Sequence, residues 1–111
     1  MVLNLALNYG GRSEIVRATK KIVRDFSDGL ITPEKIDENL FSSYLYTNGQ
    51  NDPDLIIRTA GEKRLSNFLL WQSAYAEYEF IDTLWPDFTK EIFSKLVNEY
   101  YSRERRFGGV V

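Results

Sequence analysis

Short apolar runs in the chain alternate with stretches whose apolar residues recur at helical spacing. Residues 2–9 form a nearly continuous apolar run that Gly10 and Gly11 end, and residues 55–57 form a second run. Such runs are typical of strands buried on both faces of a parallel sheet. Residues 79–84 form a third run. The pattern therefore predicts about three strands.

Between these runs, apolar residues at i, i+3 and i+4 indicate amphipathic helices. Thr32 and Pro33 have the residue types that start a helix, and Asp87 is a candidate cap for the last one. The predicted helices cover residues 13–26, residues 32–45, residues 66–75 and the segment that follows Asp87.

The predicted order is strand, helix, helix, strand, helix, strand, helix. That order is typical of α/β proteins with a parallel sheet. We therefore predict an α/β fold in which a partial parallel sheet of about three strands carries helices packed on it. No linker or repeat interrupts the chain, so residues 1–111 are predicted to form a single domain.

Charge and composition exclude several function classes. The 111 residues include 14 basic and 16 acidic groups, and the formal charge of −2 provides no general attraction for nucleic acid. The chain has no Cys and no His, which leaves carboxylates, arginines, hydroxyls or a hard metal ion for any chemistry. We find neither a bilayer-length apolar run nor a signal peptide, so a cytoplasmic location is expected.

The segment after the second run carries the clearest candidate chemistry. Arg58 follows a predicted strand directly, and ligands of α/β sheets bind beyond the carboxyl ends of strands. Gly61 permits a sharp turn, Arg64 adds a second guanidinium, and Ser66 lies at a predicted helix start. Glu62 could orient the arginines. These residues fit an oxyanion-binding cradle, and they fit equally well a surface turn with solvated charges and a serine cap.

The amino-acid sequences of this segment and of four others resemble the motifs of one known family, the cis-prenyltransferases, which include undecaprenyl diphosphate synthase. The strongest likeness is in the signature from Asp54 to Gln72, which contains Arg-Thr-Ala-Gly-Glu. Further likenesses follow in the family's order, and together they cover essentially the whole chain. They lie at residues 8–12, 74–78, 84–88 and 103–109.

The resemblance implies an enzyme that joins isopentenyl diphosphate to an allylic prenyl diphosphate, giving a cis-polyprenyl diphosphate such as the lipid carrier of cell-wall synthesis. It implies that Arg58, Arg64 and Ser66 bind isopentenyl diphosphate and that Glu62 belongs to the same signature. Glu77 resembles the acidic residue that helps to place Mg²⁺. The lipid product implies peripheral contact with a membrane.

Two further positions bear on this expectation. Lys63 stands where some relatives have His, which puts the details of metal placement in doubt. Arg106 and Gly108 resemble the family's Arg-x-Gly motif, which reaches the active site of a partner subunit and so implies a homodimer. The alternative is that this basic tail is a solvated helix end.

The family also has an amino-terminal aspartate loop that no segment of this sequence resembles. We therefore expect the chain to be a carboxy-terminal portion of the enzyme that contains no catalytic aspartate and is inactive alone. Two alternatives remain: a non-catalytic partner subunit and a functionless remnant. The large aromatic residues are predicted to lie in the core or a dimer interface; they are Trp71, Trp85, Phe88 and Tyr101.

Overall fold

A computed structural model describes residues 1–64 and 66–103, and these residues form helices and one parallel two-stranded sheet. The α/β class and the partial parallel sheet are confirmed, with two strands in the described part of the chain instead of about three. Short 3₁₀ turns lie at Pro33–Lys35 and Trp85–Asp87. The regular elements are α1 (Gly11–Ser27), α2 (Glu38–Ser43), β1 (Leu55–Arg58), β2 (Glu77–Phe80) and α3 (Lys90–Ser102).

The chain divides into two compact units. The first comprises Met1–Asp52 and residues 66–72, and the second comprises Pro53–Arg64 and residues 73–103. The prediction of a single domain stays a prediction. No helix within the described ranges, residues 1–64 and 66–103, is long and apolar enough to cross a bilayer.

The first unit is built on α1, whose inner face buries Ala18 and Ile22. The predicted helix at residues 13–26 is thus confirmed and extends slightly at both ends. The helix ends at Ser27, and the chain turns away at Gly29, whose φ of +73° is a left-handed conformation that glycine adopts without strain. The N–H of Gly29 donates to the carbonyl of Phe26 at 3.0 Å, which satisfies one of the last helix carbonyls.

The second unit contains the sheet. β1 and β2 pair in parallel, with Leu55 opposite Glu77 and Arg58 opposite Phe80. α3 follows, and its inner face buries Leu96. The predicted strand at residues 55–57 is confirmed, whereas the strand predicted at residues 79–84 begins and ends earlier in the chain.

The predicted strand at residues 2–9 is wrong for the structure described here. The side chains of Leu3, Leu5 and Leu7 in this segment are 79–82% exposed. A strand is held by hydrogen bonds to a neighbouring strand, and no described residue supplies a ladder for this segment. The apolar run therefore indicates a strand only where a neighbour is present.

The predicted helix at residues 66–75 is also wrong. Ser66, Asn67 and Leu69 have φ values of +50°, +62° and +47°, which no right-handed helix contains. The backbone turns here because Asn67 binds the start of α1. Its carbonyl accepts from Gly11 N–H at 2.7 Å, and its side-chain Oδ1 accepts from Arg12 N–H at 2.9 Å.

The remaining helix starts differ from the predicted caps. α2 begins after Asp37, whose side chain accepts from Leu40 N–H at 2.8 Å, instead of at Thr32. α3 begins after Thr89, whose hydroxyl accepts from Ile92 N–H at 3.3 Å, instead of after Asp87. In both cases the chain first makes a 3₁₀ turn at a proline, because the proline fixes φ before the helix proper.

The aromatic predictions have a mixed outcome. Trp71 is half-buried, packs against Phe41 with ring centroids 4.6 Å apart, and donates from Nε1 to Ser42 Oγ at 3.0 Å. Trp85 and Tyr101 are 71% and 78% exposed, so the core prediction is wrong for these two. Their alternative role in a dimer interface stays a prediction.

Candidate functional site

The carboxyl end of β1 leads into a loop that is tied to the segment after β2. Arg58 is the last residue of β1, and its carbonyl accepts from Ile81 N–H at 2.9 Å. In the next two hydrogen bonds the loop after β1 donates and the segment after β2 accepts. Gly61 N–H donates to Ile81 at 2.7 Å, and Ala60 N–H donates to Thr83 at 2.9 Å. The loop that follows Arg58 therefore has a fixed backbone.

The turn itself requires a left-handed backbone. Ala60 and Gly61 have φ values of +64° and +68°. A Cβ on Gly61 would lie 3.0 Å from Asp82 Oδ1, so a side chain at this position is disfavoured by both conformation and space. Gly61 thus allows the loop to turn back toward the end of β2, as the sequence predicted for a sharp turn.

The predicted arginines and the glutamate lie on this loop. Arg64 Nη2 is 3.0 Å from Glu62 Oε2, with the two side chains 71% and 40% exposed. The half-buried Arg58 makes no salt bridge with any residue in the described ranges. A guanidinium has the geometry for a bidentate contact with an anion, and Arg64 is held by Glu62.

The structure does not give Ser66 the predicted place at a helix start. The residue is exposed and belongs to the first compact unit, whereas Arg58, Glu62 and Arg64 belong to the second. Its φ of +50° and the turns that follow leave no free helix amides beside its hydroxyl. The part of the anion-cradle prediction that relied on a helix dipole at Ser66 is therefore wrong.

Glu77 lies away from Arg58 on the same sheet. It begins β2 while Arg58 ends β1, and the strands run in parallel. Side chains alternate between faces along a strand, so the register places Glu77 on the face shared by Leu55 and Arg58 on the other face. Within one chain, the two predicted site residues therefore do not meet.

Glu77 instead contacts a residue that sequence reasoning missed. Arg103, at the end of α3, places Nη1 3.6 Å from Glu77 Oε2, and its Nη2 forms an ion pair with Glu79. The two glutamates are separated by one residue and so share a face of β2. No sequence pattern links Arg103 to β2, because the contact depends on where α3 packs.

The carboxylate of Glu77 is suited to one further ligand. Its Oε2 is buried and accepts no hydrogen bond from the described residues. A buried carboxylate oxygen without a hydrogen bond can serve as a ligand of a magnesium ion. Such an ion often binds one or two protein carboxylates together with water and substrate phosphates. Residues 1–64 and 66–103 contain no group of three or more side chains suited to hold a metal. Among the described residues, Glu77 would thus supply part of a magnesium site.

The first unit contains a buried carboxylate that the sequence analysis also missed. Glu14 is 2% exposed, and its oxygens accept from the hydroxyl of Tyr9, from Tyr46 N–H at 2.8 Å and from Gln72 Nε2 at 3.1 Å. Burial, and then the hydrogen bond to Glu14, raises the pKa of Tyr9 well above its ordinary value. The network joins three separate stretches of sequence, and its only sequence signal is an acidic residue near the inner face of α1.

The two glycines at the start of α1 serve packing. A Cβ on Gly11 would lie 2.8 Å from Leu70 Cγ and 3.1 Å from the carbonyl of Asn67. Gly10 and Gly11 thus let the segment that caps α1 approach closely. Arg106 and Gly108, the predicted trans-subunit motif, lie outside the described residues.

Comparison with solved structures shows that this chain is similar to one class of proteins, the prenyl diphosphate synthases. The structure of lavandulyl diphosphate synthase from Lavandula x intermedia, in complex with dimethylallyl diphosphate, matches with a TM-score of 0.89 and 44% identity; the match covers 94% of this chain and 45% of that one. A probable undecaprenyl diphosphate synthase from Campylobacter jejuni matches with a TM-score of 0.76 and 42% identity, over 95% and 46% of the two chains.

Curated relatives and a family profile narrow the class. The isoprenyl transferase of Geobacillus kaustophilus is 58% identical over 99% of this chain and 43% of its own length. That of Aquifex aeolicus is 53% identical over 100% of this chain and 46% of its own length. The profile described as putative undecaprenyl diphosphate synthase matches residues 1–108. The chain belongs to this prenyltransferase family, and it spans less than half the length of these relatives.

Proposed function

We propose that this chain supplies the isopentenyl diphosphate site of a prenyltransferase that builds cis-polyprenyl diphosphates. The substrates are isopentenyl diphosphate and an allylic prenyl diphosphate, and the product is a lipid carrier of the undecaprenyl diphosphate kind. The observation that carries the proposal is Arg58, a half-buried guanidinium without a salt bridge in the described chain, at the end of β1 and followed by a backbone-fixed loop. Family membership gives the reaction class.

In the proposed reaction, this chain binds isopentenyl diphosphate and orients it. In the reaction the allylic carbon–oxygen bond breaks as a carbon–carbon bond forms, and the isopentenyl unit loses a proton. Arg58 would hold the isopentenyl diphosphate by two parallel hydrogen bonds, with Arg64 as a second cationic contact and Ser66 as a hydroxyl donor. Glu62 would keep Arg64 in place through the observed 3.0 Å ion pair.

Mg²⁺ is the expected cofactor, and Glu77 is its proposed ligand in this chain. The buried Oε2, which accepts no hydrogen bond from the described residues, supports that role, and Arg103 Nη1 lies 3.6 Å from the same oxygen. When bound, the ion would neutralise the charge of the diphosphate that departs.

The direct test is to measure the affinity for isopentenyl diphosphate by calorimetry, with variants that each lose one positive charge. We expect Arg58→Gln to weaken binding about 10- to 100-fold, the loss that follows when a charged hydrogen-bond donor is removed. Lys95→Gln, which removes an exposed cation from α3, is the control and should leave affinity unchanged. Equal affinity of the wild-type chain and Arg58→Gln would contradict the proposal.

We further propose that the chain alone does not complete the condensation. It covers 40–46% of the curated relatives it matches, which supports a division of the active site between this segment and another. The chain is incubated with isopentenyl and farnesyl diphosphates and Mg²⁺, and products are separated by chain length. No polyprenyl product is expected, and clear elongation would show that this proposal is wrong.

The working assembly that we propose is a cytoplasmic homodimer in which Arg106 and Gly108 reach the partner's site. The exposed side chains of Trp85 and Tyr101 support an interface on the second unit, because large exposed aromatic groups are enriched where proteins associate. Sedimentation equilibrium tests it: the chain should be dimeric, and Tyr101→Ser should shift it toward monomer. A monomeric wild-type chain would remove the support for a shared site.

A further inference from the structure

The outer face of α1 combines two stripes that the diphosphate site does not use. One stripe is basic and consists of Arg17, Lys20, Lys21 and Arg24, which recur at helical spacing. The other stripe is apolar and consists of Val16, Val23 and Phe26, which are 54%, 58% and 52% exposed. We call these seven residues the outer face of α1.

The charge on this face is not balanced within its own helix. The helix has only two acidic residues. Glu14 is buried, whereas Asp25 accepts a hydrogen bond from Tyr44 and lines a groove beside Arg24. Together with Arg12, the helix carries five of the 14 basic residues of a chain whose formal charge is −2. A basic surface therefore stands on an otherwise acidic molecule, and it can act locally on an anionic partner.

Open grooves flank the basic stripe. One, of about 610 Å³, runs along α1 between Arg12 and Arg24. The other, of about 430 Å³, lies between α1 and the segment around Tyr46. Arg17 borders both grooves and is held by Tyr46, with its Cζ 4.4 Å from the ring centroid. These spaces can receive compact anionic groups beside an exposed apolar stripe.

We propose that the outer face of α1 docks on a lipid bilayer that contains anionic lipids. A helix that presents a cationic stripe beside an apolar stripe fits the plane of the bilayer interface, with cations at the phosphates and apolar groups among the upper acyl chains. Leu30, 69% exposed just beyond the end of α1, extends the apolar stripe. The proposal goes beyond the diphosphate site and does not depend on it, because vesicle binding requires no substrate.

The basic stripe and the apolar stripe together favour a bilayer with anionic lipids over a nucleic acid as the partner of this face. Phosphate backbones would satisfy the basic stripe, but they offer nothing to the exposed side chains of Val16, Val23 and Phe26. The acidic remainder of the chain would also repel a long polyanion that wraps the molecule. A bilayer surface touches one face of the protein and accepts both stripes.

The test is co-sedimentation of the chain with vesicles, using charge-matched variants. Vesicles of phosphatidylcholine alone are compared with vesicles that contain about 30% phosphatidylglycerol. The basic-stripe variant replaces Lys20, Lys21 and Arg24 by Gln. The control replaces the exposed Lys35, Lys90 and Lys95 by Gln and so has the same net charge.

We expect the wild-type chain and the control to bind the anionic vesicles and neither to bind phosphatidylcholine alone. The basic-stripe variant should bind about 100-fold more weakly, from the attraction typical of three basic residues near such a surface. Absence of binding by the wild-type chain, or an equal loss in the two variants, would overturn the proposal. Circular dichroism confirms that each variant is folded before it is compared.

A second measurement isolates the apolar stripe. The chain contains no Cys, so Val23→Cys creates a unique site for a polarity-sensitive dye, and Glu34→Cys provides an exposed control. Dye at residue 23 should shift to the blue on anionic vesicles, and dye at residue 34 should not. Absence of a shift at residue 23, or binding of a short DNA duplex as tight as binding of vesicles, would show that the face only attracts anions and would overturn the lipid proposal.

Discussion

At the scale of single residues, Glu14 shows how a buried charge is accommodated in so small a core. A carboxylate removed from water is tolerated only when donors replace its hydration, and Glu14 has donors from Tyr9, Tyr46 and Gln72. The network ties α1 to the segments on either side of it. These contacts were not predictable from the sequence, because the three donors lie far apart along the chain.

Replacement of Glu14 by Gln should therefore destabilise the fold. The amide keeps the shape but turns one acceptor into a donor that faces other donors, so we expect unfolding free energy to fall by about 1–3 kcal/mol. Urea denaturation followed by circular dichroism measures this. Glu34→Gln, at an exposed position, is the matched control and should change stability little. Equal effects of the two substitutions would show that the network adds no stability.

The raised pKa of Tyr9 gives a second residue-scale prediction. A tyrosine whose pKa is higher in the folded than in the unfolded chain favours folding fully below the unfolded value of 10.0 and loses that contribution as pH rises above it. The free energy of unfolding should thus fall above pH 10, as measured by urea titrations at several pH values.

The control for this effect is Tyr9→Phe. The variant should be less stable at neutral pH by about 1 kcal/mol, because it lacks the hydrogen bond to Glu14, and its alkaline decline should be shallower. Part of the decline should persist, because the pKa of Tyr44 is also raised, first of all by its hydrogen bond to Asp25. An alkaline profile identical to that of the wild-type chain would contradict the assignment.

At the scale of elements, local patterns predicted the two long helices and the position of β1, although β1 itself is held by pairing with β2. α1 and α3 have strong helical periodicity, and β1 is bounded by a polar loop and Arg58, so their positions followed from the sequence. The segments at residues 2–9 and 66–75 have apolar patterns that are as clear as those of α1, α3 and β1. Their conformations depend on partners distant in sequence, a neighbouring strand in one case and the start of α1 in the other, and were predicted wrongly.

Asn67 provides the element-scale prediction. Its Oδ1 accepts from Arg12 N–H in the first turn of α1, which is the role of a helix cap supplied from another segment. Asn67→Ala should lower stability by about 2 kcal/mol, because the loss of the cap adds to the strain of Ala at the left-handed φ of this position. Asn98→Ala, on the exposed surface of α3, is the control and should be neutral or slightly stabilising. Thermal unfolding compares the two, and a smaller loss at residue 67 than at residue 98 would contradict the cap.

At the scale of the whole molecule, two anion-binding surfaces with different tasks are proposed. The loop after β1 offers Arg58 and Arg64 to a diphosphate, and the outer face of α1 offers four cations and an apolar stripe to a bilayer. The position of Arg58 at a strand end was predictable from the sequence because strand ends bear ligands in this fold class. The separation of Glu77 from Arg58 was not, because it follows from strand register.

The measurement that tests the central claim most directly is a nuclear magnetic resonance titration of the ¹⁵N-labelled chain with isopentenyl diphosphate. We predict saturable shifts of the amide signals from Thr59 through Glu62, and none from isopentenyl alcohol, which lacks the diphosphate. Shifts confined to α1, or no saturable shift at the loop after β1, would show that this chain does not carry the isopentenyl diphosphate site.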